Sequence, residues 1–297
     1  MPNQYRDTCI LCGQGSYGQA LESALVNSNV RRWQREQFTV WRCSHCQSLH
    51  SRERVDLDRY YRGYPFRRRQ LDGFARRTFA SYLSKLFRAG MNSSSTVLDY
   101  GCSEGLLLQF LAEQGVRDTA GYDAYVEAFD DRAVLSAAYD VVIAQDVIEH
   151  VEDPLELLDS LVKCVQPGGL LALGTPRAEG IDLHQAAKFT HSLHQPFHLH
   201  IFSEQSLRTL CESRGLQTVA IHRRHILDTP FPFVNWTFLR AYLRQLDNTL
   251  DAGFDPVNLR KILTSPRLVF LGLLGYLFPG DSEMLLILRK PGACEKE

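Results

Sequence analysis

Four cysteines in two pairs, Cys9-x2-Cys12 and Cys43-x2-Cys46, stand near the start of this 297-residue chain. A tetrahedral Zn²⁺ takes four soft ligands at about 2.3 Å, and two such turns supply thiolates in pairs with the backbone already bent to suit. Four thiolates leave no open coordination position, so the metal expected here is structural. His45 and His50 stand near enough in sequence to replace one thiolate, and to that extent the ligand set stays open. Disulfides between the same residues fit a reducing compartment poorly. Cys102, Cys164, Cys211 and Cys294 are scattered and read as small core or surface residues.

A second chemical signature is "VLDYGCSEG", Val97 to Gly105, followed by the apolar run "LLLQFL". A strand-like start, an acid, spaced glycines and an apolar run read as strand, tight turn and helix, a cofactor-binding shape. The spacing is Asp99-x-Gly101-x-Ser103-x-Gly105. Dinucleotide binding asks for G-x-G-x-x-G with a pyrophosphate on the helix N-terminus, so a nicotinamide enzyme is not the reading favoured. Asp123, in "GYDA" about twenty residues on, is placed to hydrogen-bond ribose hydroxyls at the tip of the next strand.

Positioning these residues requires alternating strands and helices. "STVLDYGC" and "DTAGYDA" read as strands with the helix "EGLLLQFLAEQG" between them, closed by Gly115. "YDVVIAQDVIEHV" is a buried strand running into a loop. "EDPLELLDSLVKCVQPGG" is a helix with Asp153 as N-cap and Pro154 at its first position, and "LLALGTP" another buried strand. "LQTVAIHRR" and "SEMLLILRK" read as a final antiparallel pair. The expected class is α/β: a doubly wound, mainly parallel sheet of Rossmann-like form, binding ligands at the carboxyl ends of its strands. The expected boundaries are a zinc-ribbon-like module at 1–60, with a β hairpin between the knuckles, and a linking helix at 61–94. A cofactor-binding domain follows at 95–229 plus 280–292, interrupted at 230–279 by a helical insertion that could serve as lid, dimer surface, contact for a lipid-linked substrate or extra core.

"VLDYGCSEG", "GYDA", "YDVVIAQDVIEHVEDP" and "VQPGGLLALGTP", in that order, resemble the class I S-adenosylmethionine-dependent methyltransferases over roughly residues 95 to 225. With "CILC", "WRCSHC" and "YYRGYPF" upstream, the chain is similar to bacterial small-molecule methyltransferases with an N-terminal zinc-binding module, the sugar C-methyltransferases among them. The resemblance implies a seven-stranded sheet and S-adenosylmethionine as cofactor. It implies that Asp99, Gly101, Cys102 and Gly105 shape the pocket for its amino-acid end, that Asp123 grips the ribose, and that Ala144, Gln145 and Asp146 line the floor beneath the sulfonium. Ser103 replaces a glycine common in the family. Fifteen residues separate Asp123 from Tyr139, where the family often has a helix and another strand, so a shortened loop with Phe129, Asp130 and Asp131 is expected on the adenine side.

Methyl transfer from a sulfonium is an in-line displacement, so the protein must align the acceptor and remove its proton where it carries one. His150, in the Glu-His dipeptide, is one candidate base, the alternative being a brace for its loop. Five of the ten histidines, His184, His191, His194, His198 and His200, follow the strand "LLALGTP". His198 aligns with a histidine that many relatives carry and is the first candidate for acid-base work or acceptor orientation.

Apolar content of 44% with 10% aromatics is that of a folded globular chain. The first dozen residues lack the charged lead and apolar run of a secretory signal, and the expected location is cytoplasmic. "LVFLGLLGYLF" is too short to cross a bilayer. Residues 1 to 90 hold 16 Lys and Arg against 7 Asp and Glu in a chain of net charge −1, which suits an anionic acceptor such as a nucleotide-linked sugar, or a solvated arginine face in "FRRRQ". Two rivals stand beside small-molecule methylation. Methylation of ribosomal or transfer RNA would use the zinc module to grip phosphates, though scarce lysine and near-neutral charge make nucleic acid an unfavoured partner. A non-enzymatic zinc-ribbon interaction protein would have a decayed cofactor pocket. A homodimer is compatible with all three.

Overall fold

The computed structural model describes residues 4–62, 64 and 70–292; the arginines of "FRRRQ" and Cys294 lie outside the described residues. Its strands are β1 (Ser23–Asn27), β2 (Gln37–Arg42), β3 (Leu49–Ser51), β4 (Val97–Tyr100), β5 (Thr119–Tyr122), β6 (Tyr139–Gln145), β7 (Val165–Pro176), β8 (His200–Ile201), β9 (Gln217–His222) and β10 (Glu283–Arg289). The helices are α1 (Leu57–Tyr61), α2 (Gly73–Arg88), α3 (Leu106–Glu113), α4 (Pro154–Cys164), α5 (Thr190–Leu193), α6 (Glu204–Glu212), α7 (Trp236–Gln245), α8 (Leu259–Leu263) and α9 (Pro266–Leu274). Contacts gather the chain into two units. One comprises Met1–Arg67, Pro176–Ser206 and Leu227–Glu283; the other comprises Arg68–Thr175, Leu207–Ile226 and Met284–Glu297.

The second unit carries the sheet that the glycine turn requires, in the order β5-β4-β6-β7-β10-β9. Strands β5, β4, β6 and β7 run parallel, and β9 pairs antiparallel with β10, as the sequence leads one to expect. Near-continuous apolar strands such as "VVIA" are buried because a parallel sheet is covered on both faces. Tyr82, Leu83 and Leu86 of α2 and Phe110 and Leu111 of α3 pack on Val97, Val141, Ile143, Ala172 and Ile287 in one core. The helix α4 begins as its sequence dictates: the Asp153 carboxylate accepts from the amides of Leu155 and Glu156, and Pro154 takes the first position.

One expectation is corrected. Among the described residues this sheet has six strands, not seven. The fifteen residues between Asp123 and Tyr139 form two 3₁₀ turns, Glu127–Phe129 and Arg132–Ser136, because so short a span cannot supply a crossover, another strand and a return to β6.

The first unit holds an antiparallel sheet ordered β1-β2-β3-β8, whose β1–β2 hairpin lies between the two cysteine pairs. Residues 176–206, expected from sequence within the cofactor-binding segment, gather here. His200 pairs with His50 and Ile201 with Leu49, and the buried Arg42 guanidinium donates to the carbonyls of Ala178 (3.1 Å) and Ile181 (2.5 Å) while pairing with Glu22. Val26, Val40, Leu49, Ile181, Leu193 and Ile201 form the core beneath that sheet.

Candidate cofactor site and cysteine cluster

Parallel register brings the sequence-predicted residues of the second unit to one edge of its sheet. Tyr100 lies level with Tyr122 on β5 and with Ala144 on β6, so Asp99, Asp123, Gln145 and Asp146 all stand at carboxyl ends of adjacent strands. The chain leaves β4 by a turn in which Gly101 (2.7 Å) and Cys102 (3.1 Å) donate their amides to the Tyr122 carbonyl. Gly101 has φ +81° and a Cβ there would run into Val147; Gly105 has φ +73° and its Cβ would meet Phe129 Cζ at 2.6 Å. Only glycine fits both demands of conformation and space. Ser103 also adopts a left-handed conformation, φ +48°, and is held in it by its amide, which donates to Asp123 Oδ2 at 2.9 Å. Asp123 Oδ1 accepts from the Tyr125 amide, also at 2.9 Å, so both oxygens are oriented by backbone.

The electrostatics single out Asp99 and Asp146. Burial, reinforced by the charge of Asp123, pushes the Asp99 carboxyl up to about 7. At Asp146, an exposed residue, the protein crowded around the carboxyl raises its pKa as well, against a hydrogen bond from the Gln145 amide at 2.9 Å that favours the charged form. Between these acids the sequence reading missed a residue. Tyr82 of α2 falls in the segment expected only to link the two parts, yet its buried hydroxyl has no hydrogen-bond partner among the described residues, and burial with the charges of Asp99 and Asp146 raises its pKa beyond the usual tyrosine range. Gln145 Oε1 is likewise buried and unpartnered, in space that Gly174 opens by lacking a side chain. Unmet polar groups of both signs at the strand ends suit a ligand bearing ammonium and carboxylate together. The available signal was the residue type: a buried tyrosine ordinarily finds a partner for its hydroxyl.

His150 lies half-buried in a 3₁₀ turn, Ile148–His150, whose neighbour Glu149 is fully buried and accepts from Thr175 Oγ1 at 3.0 Å. His198 belongs to the first unit and is buried; its Nδ1 donates to the Ser192 carbonyl at 2.8 Å, which leaves Nε2 as the proton-accepting nitrogen of the neutral ring. His194 is engaged through both nitrogens, Nδ1 with Asn29 Oδ1 at 2.6 Å and Nε2 with the Tyr64 hydroxyl at 3.0 Å, and His200 meets His50 at 3.0 Å.

The first unit also holds the cysteine cluster. The Sγ atoms of Cys9, Cys12, Cys43 and Cys46 all lie within 4.8 Å of one another, with Cys9–Cys46 at 3.5 Å and Cys12–Cys43 at 3.7 Å. Tetrahedral thiolates 2.3 Å from Zn²⁺ stand about 3.8 Å apart, so the donor set fits that ion. Both knuckles turn alike: Gly13 donates to the Cys9 carbonyl and Gln47 to that of Cys43, each from a left-handed conformation. His50 Nε2 contacts Cys9 Sγ at 3.1 Å from beside the cluster, whereas His45 is exposed.

A family model described as "Methyltransferase domain" matches residues 68–221, just over half of the chain. The chain belongs to that methyltransferase family. Its motifs and sheet are those of the class I S-adenosylmethionine-dependent branch, as the glycine turn and the Glu-His dipeptide imply. The methyltransferase domain is 29% identical over 121 residues to the mitochondrial ubiquinone biosynthesis O-methyltransferase of Schizosaccharomyces pombe, covering 33% of this chain and 44% of that protein. It is 31% identical over 104 residues to the ubiquinone biosynthesis O-methyltransferase of Xylella fastidiosa strain M23, covering 28% and 42%. The chain thus spans less than half the length of these curated relatives. Among solved structures, a SAM-dependent methyltransferase from Archaeoglobus fulgidus aligns with a TM-score of 0.45 at 15% identity, covering 72% of this chain and 94% of that one.

Proposed function

We propose that the chain transfers a methyl group from S-adenosylmethionine to a small-molecule acceptor, and that the acceptor is anionic, such as a nucleotide-linked sugar or a biosynthetic intermediate. The observation that carries this reading is the meeting of Asp99, Asp123 and Asp146 at three adjacent parallel strand ends, beside a buried Tyr82 hydroxyl without a partner among the described residues. The bound cofactor supplies a methyl group already activated on sulfonium. Asp99 and the Gly101–Gly105 turn, with Cys102, hold the amino-acid end, Asp123 accepts from the ribose hydroxyls, and Ala144, Gln145 and Asp146 close the floor. His198 and His150 are the candidate residues for taking the acceptor proton; the Nδ1 hydrogen bond to the Ser192 carbonyl makes Nε2 the basic nitrogen of a neutral His198 ring. Relatives named as O-methyltransferases of ubiquinone biosynthesis support a small acceptor over RNA.

In the same reading Cys9, Cys12, Cys43 and Cys46 hold a structural Zn²⁺, and the chain works in a reducing, cytoplasmic compartment that keeps these thiols available. Calorimetric titration with S-adenosylmethionine and S-adenosylhomocysteine tests the cofactor, with zinc assayed on the same sample. Micromolar binding that weakens at least tenfold in Asp123→Ala is expected, since a charge-assisted hydrogen bond contributes about 1.5–3 kcal/mol. No binding by folded, zinc-loaded protein would overturn the reading.

A further inference from the structure

The helix α9 is apolar on two sides. One side is fixed inward: Leu268 is fully buried, the glycine at 272 abuts the Phe233 ring and the one at 275 abuts Asn235, whose amide donates to the carbonyls of Leu271 (3.0 Å) and Gly272 (3.3 Å). The opposite side carries Phe270, Leu273 and Leu274, at the i, i+3, i+4 spacing of one helical face, with Leu277 in the 3₁₀ turn Gly275–Leu277 that follows, and these are 42–66% exposed. Phe278 extends the face, its ring centroid 6.1 Å from that of Phe270, and Leu259 and Leu263 of the preceding helix are also exposed. Glycine at 272 and 275 is what lets this segment approach Phe233 and Asn235 so closely, since a Cβ at either position would collide with them. A contiguous apolar face of this kind on a folded chain marks a contact surface.

The charge of the segment selects the partner. From residue 256 to 280 there is no Asp or Glu, while Arg260, Lys261 and Arg267 are cationic. Arg260 and Arg267 are exposed, and neither has an acidic partner among the described residues. We propose that this face, residues 259–278, seats the chain on an anionic lipid surface, with the leucines and phenylalanines entering the headgroup layer and the two arginines meeting lipid phosphates. A second copy about a two-fold axis would bring the same cationic rim against itself. No helix among the described residues is long and apolar enough to cross a membrane, so α9 lies in the plane of the interface.

Co-sedimentation of the full chain with vesicles tests this. Binding to phosphatidylcholine vesicles doped with phosphatidylserine is expected, at least about tenfold tighter than to phosphatidylcholine alone and falling with salt. The double variant Leu273→Glu/Leu277→Glu should lose at least about tenfold in vesicle affinity while keeping its melting temperature and its S-adenosylhomocysteine affinity. The pair Arg260→Gln/Arg267→Gln should weaken binding to doped vesicles alone. Absence of binding to doped vesicles, or binding untouched by the leucine variant, overturns the proposal. So does a dimer in sedimentation that the leucine variant converts to monomer, since a second copy would then be the occupant. None of these outcomes depends on methyl transfer.

Discussion

Asp99 has an ordinary carboxyl pKa of 3.8 that burial and Asp123 raise to about 7 in the folded chain. The folded state therefore holds this proton more tightly than the unfolded one, and the stability that results is complete below about pH 4 and lost as pH rises toward 7. In the absence of cofactor, Asp99→Asn should melt above the parent at pH 8, by on the order of 5 °C, with the difference vanishing near pH 4. Thermal scans across that range check it; a difference independent of pH would place the cost of Asp99 elsewhere. Tyr82 makes the converse case. Its hydroxyl lacks a partner among the described residues, so Tyr82→Phe should leave the cofactor-free melting temperature equal or higher while lowering S-adenosylhomocysteine affinity several-fold. Unchanged affinity in calorimetry would show that the hydroxyl has no ligand to meet. Both residues were differently legible: Asp99 announced itself by its place before the glycines, whereas the fold alone brings Tyr82, seventeen residues earlier in sequence, beside it.

At the scale of elements, the turn between β4 and α3 is the most constrained piece of the second unit. Gly101→Ala should destabilise by at least ~1–2 kcal/mol from its left-handed backbone alone, with the Val147 collision added, as read in denaturant unfolding. Gly105→Ala carries a similar backbone cost, but part of its collision is with the Phe129 ring, so Phe129→Ala in the same chain should recover some of the loss. Additive losses in the double variant would contradict that geometry. In the first unit, the proposed Zn²⁺ at the four cysteines predicts that a chelator abolishes the cooperative unfolding of the hairpin region and releases about one zinc per chain, read by metal analysis alongside circular dichroism. The knuckles, the Asp153-Pro154 cap and the glycine turn were readable because each is decided by residues a few positions apart. The pairing of His200–Ile201 with Leu49–His50 was not, since it depends on Arg42 and on a core assembled from residues more than a hundred positions distant.

At the scale of the whole chain, two units are built from interleaved segments, and linear reading is least sufficient there. The apolar run near the C-terminus was visible in sequence, but only packing at Gly272 and Gly275 decides which of its leucines face outward. The missing seventh strand follows from the fifteen-residue span after Asp123, a shortening plain in sequence whose consequence for the sheet emerged only from its topology. The proposed seat of S-adenosylmethionine is formed by three strand ends of the second unit. Hydrogen–deuterium exchange of the full chain with and without S-adenosylhomocysteine tests it most directly. Slowed exchange should centre on residues 99–106, 122–130 and 144–148; binding that leaves these three stretches unprotected would place the cofactor elsewhere.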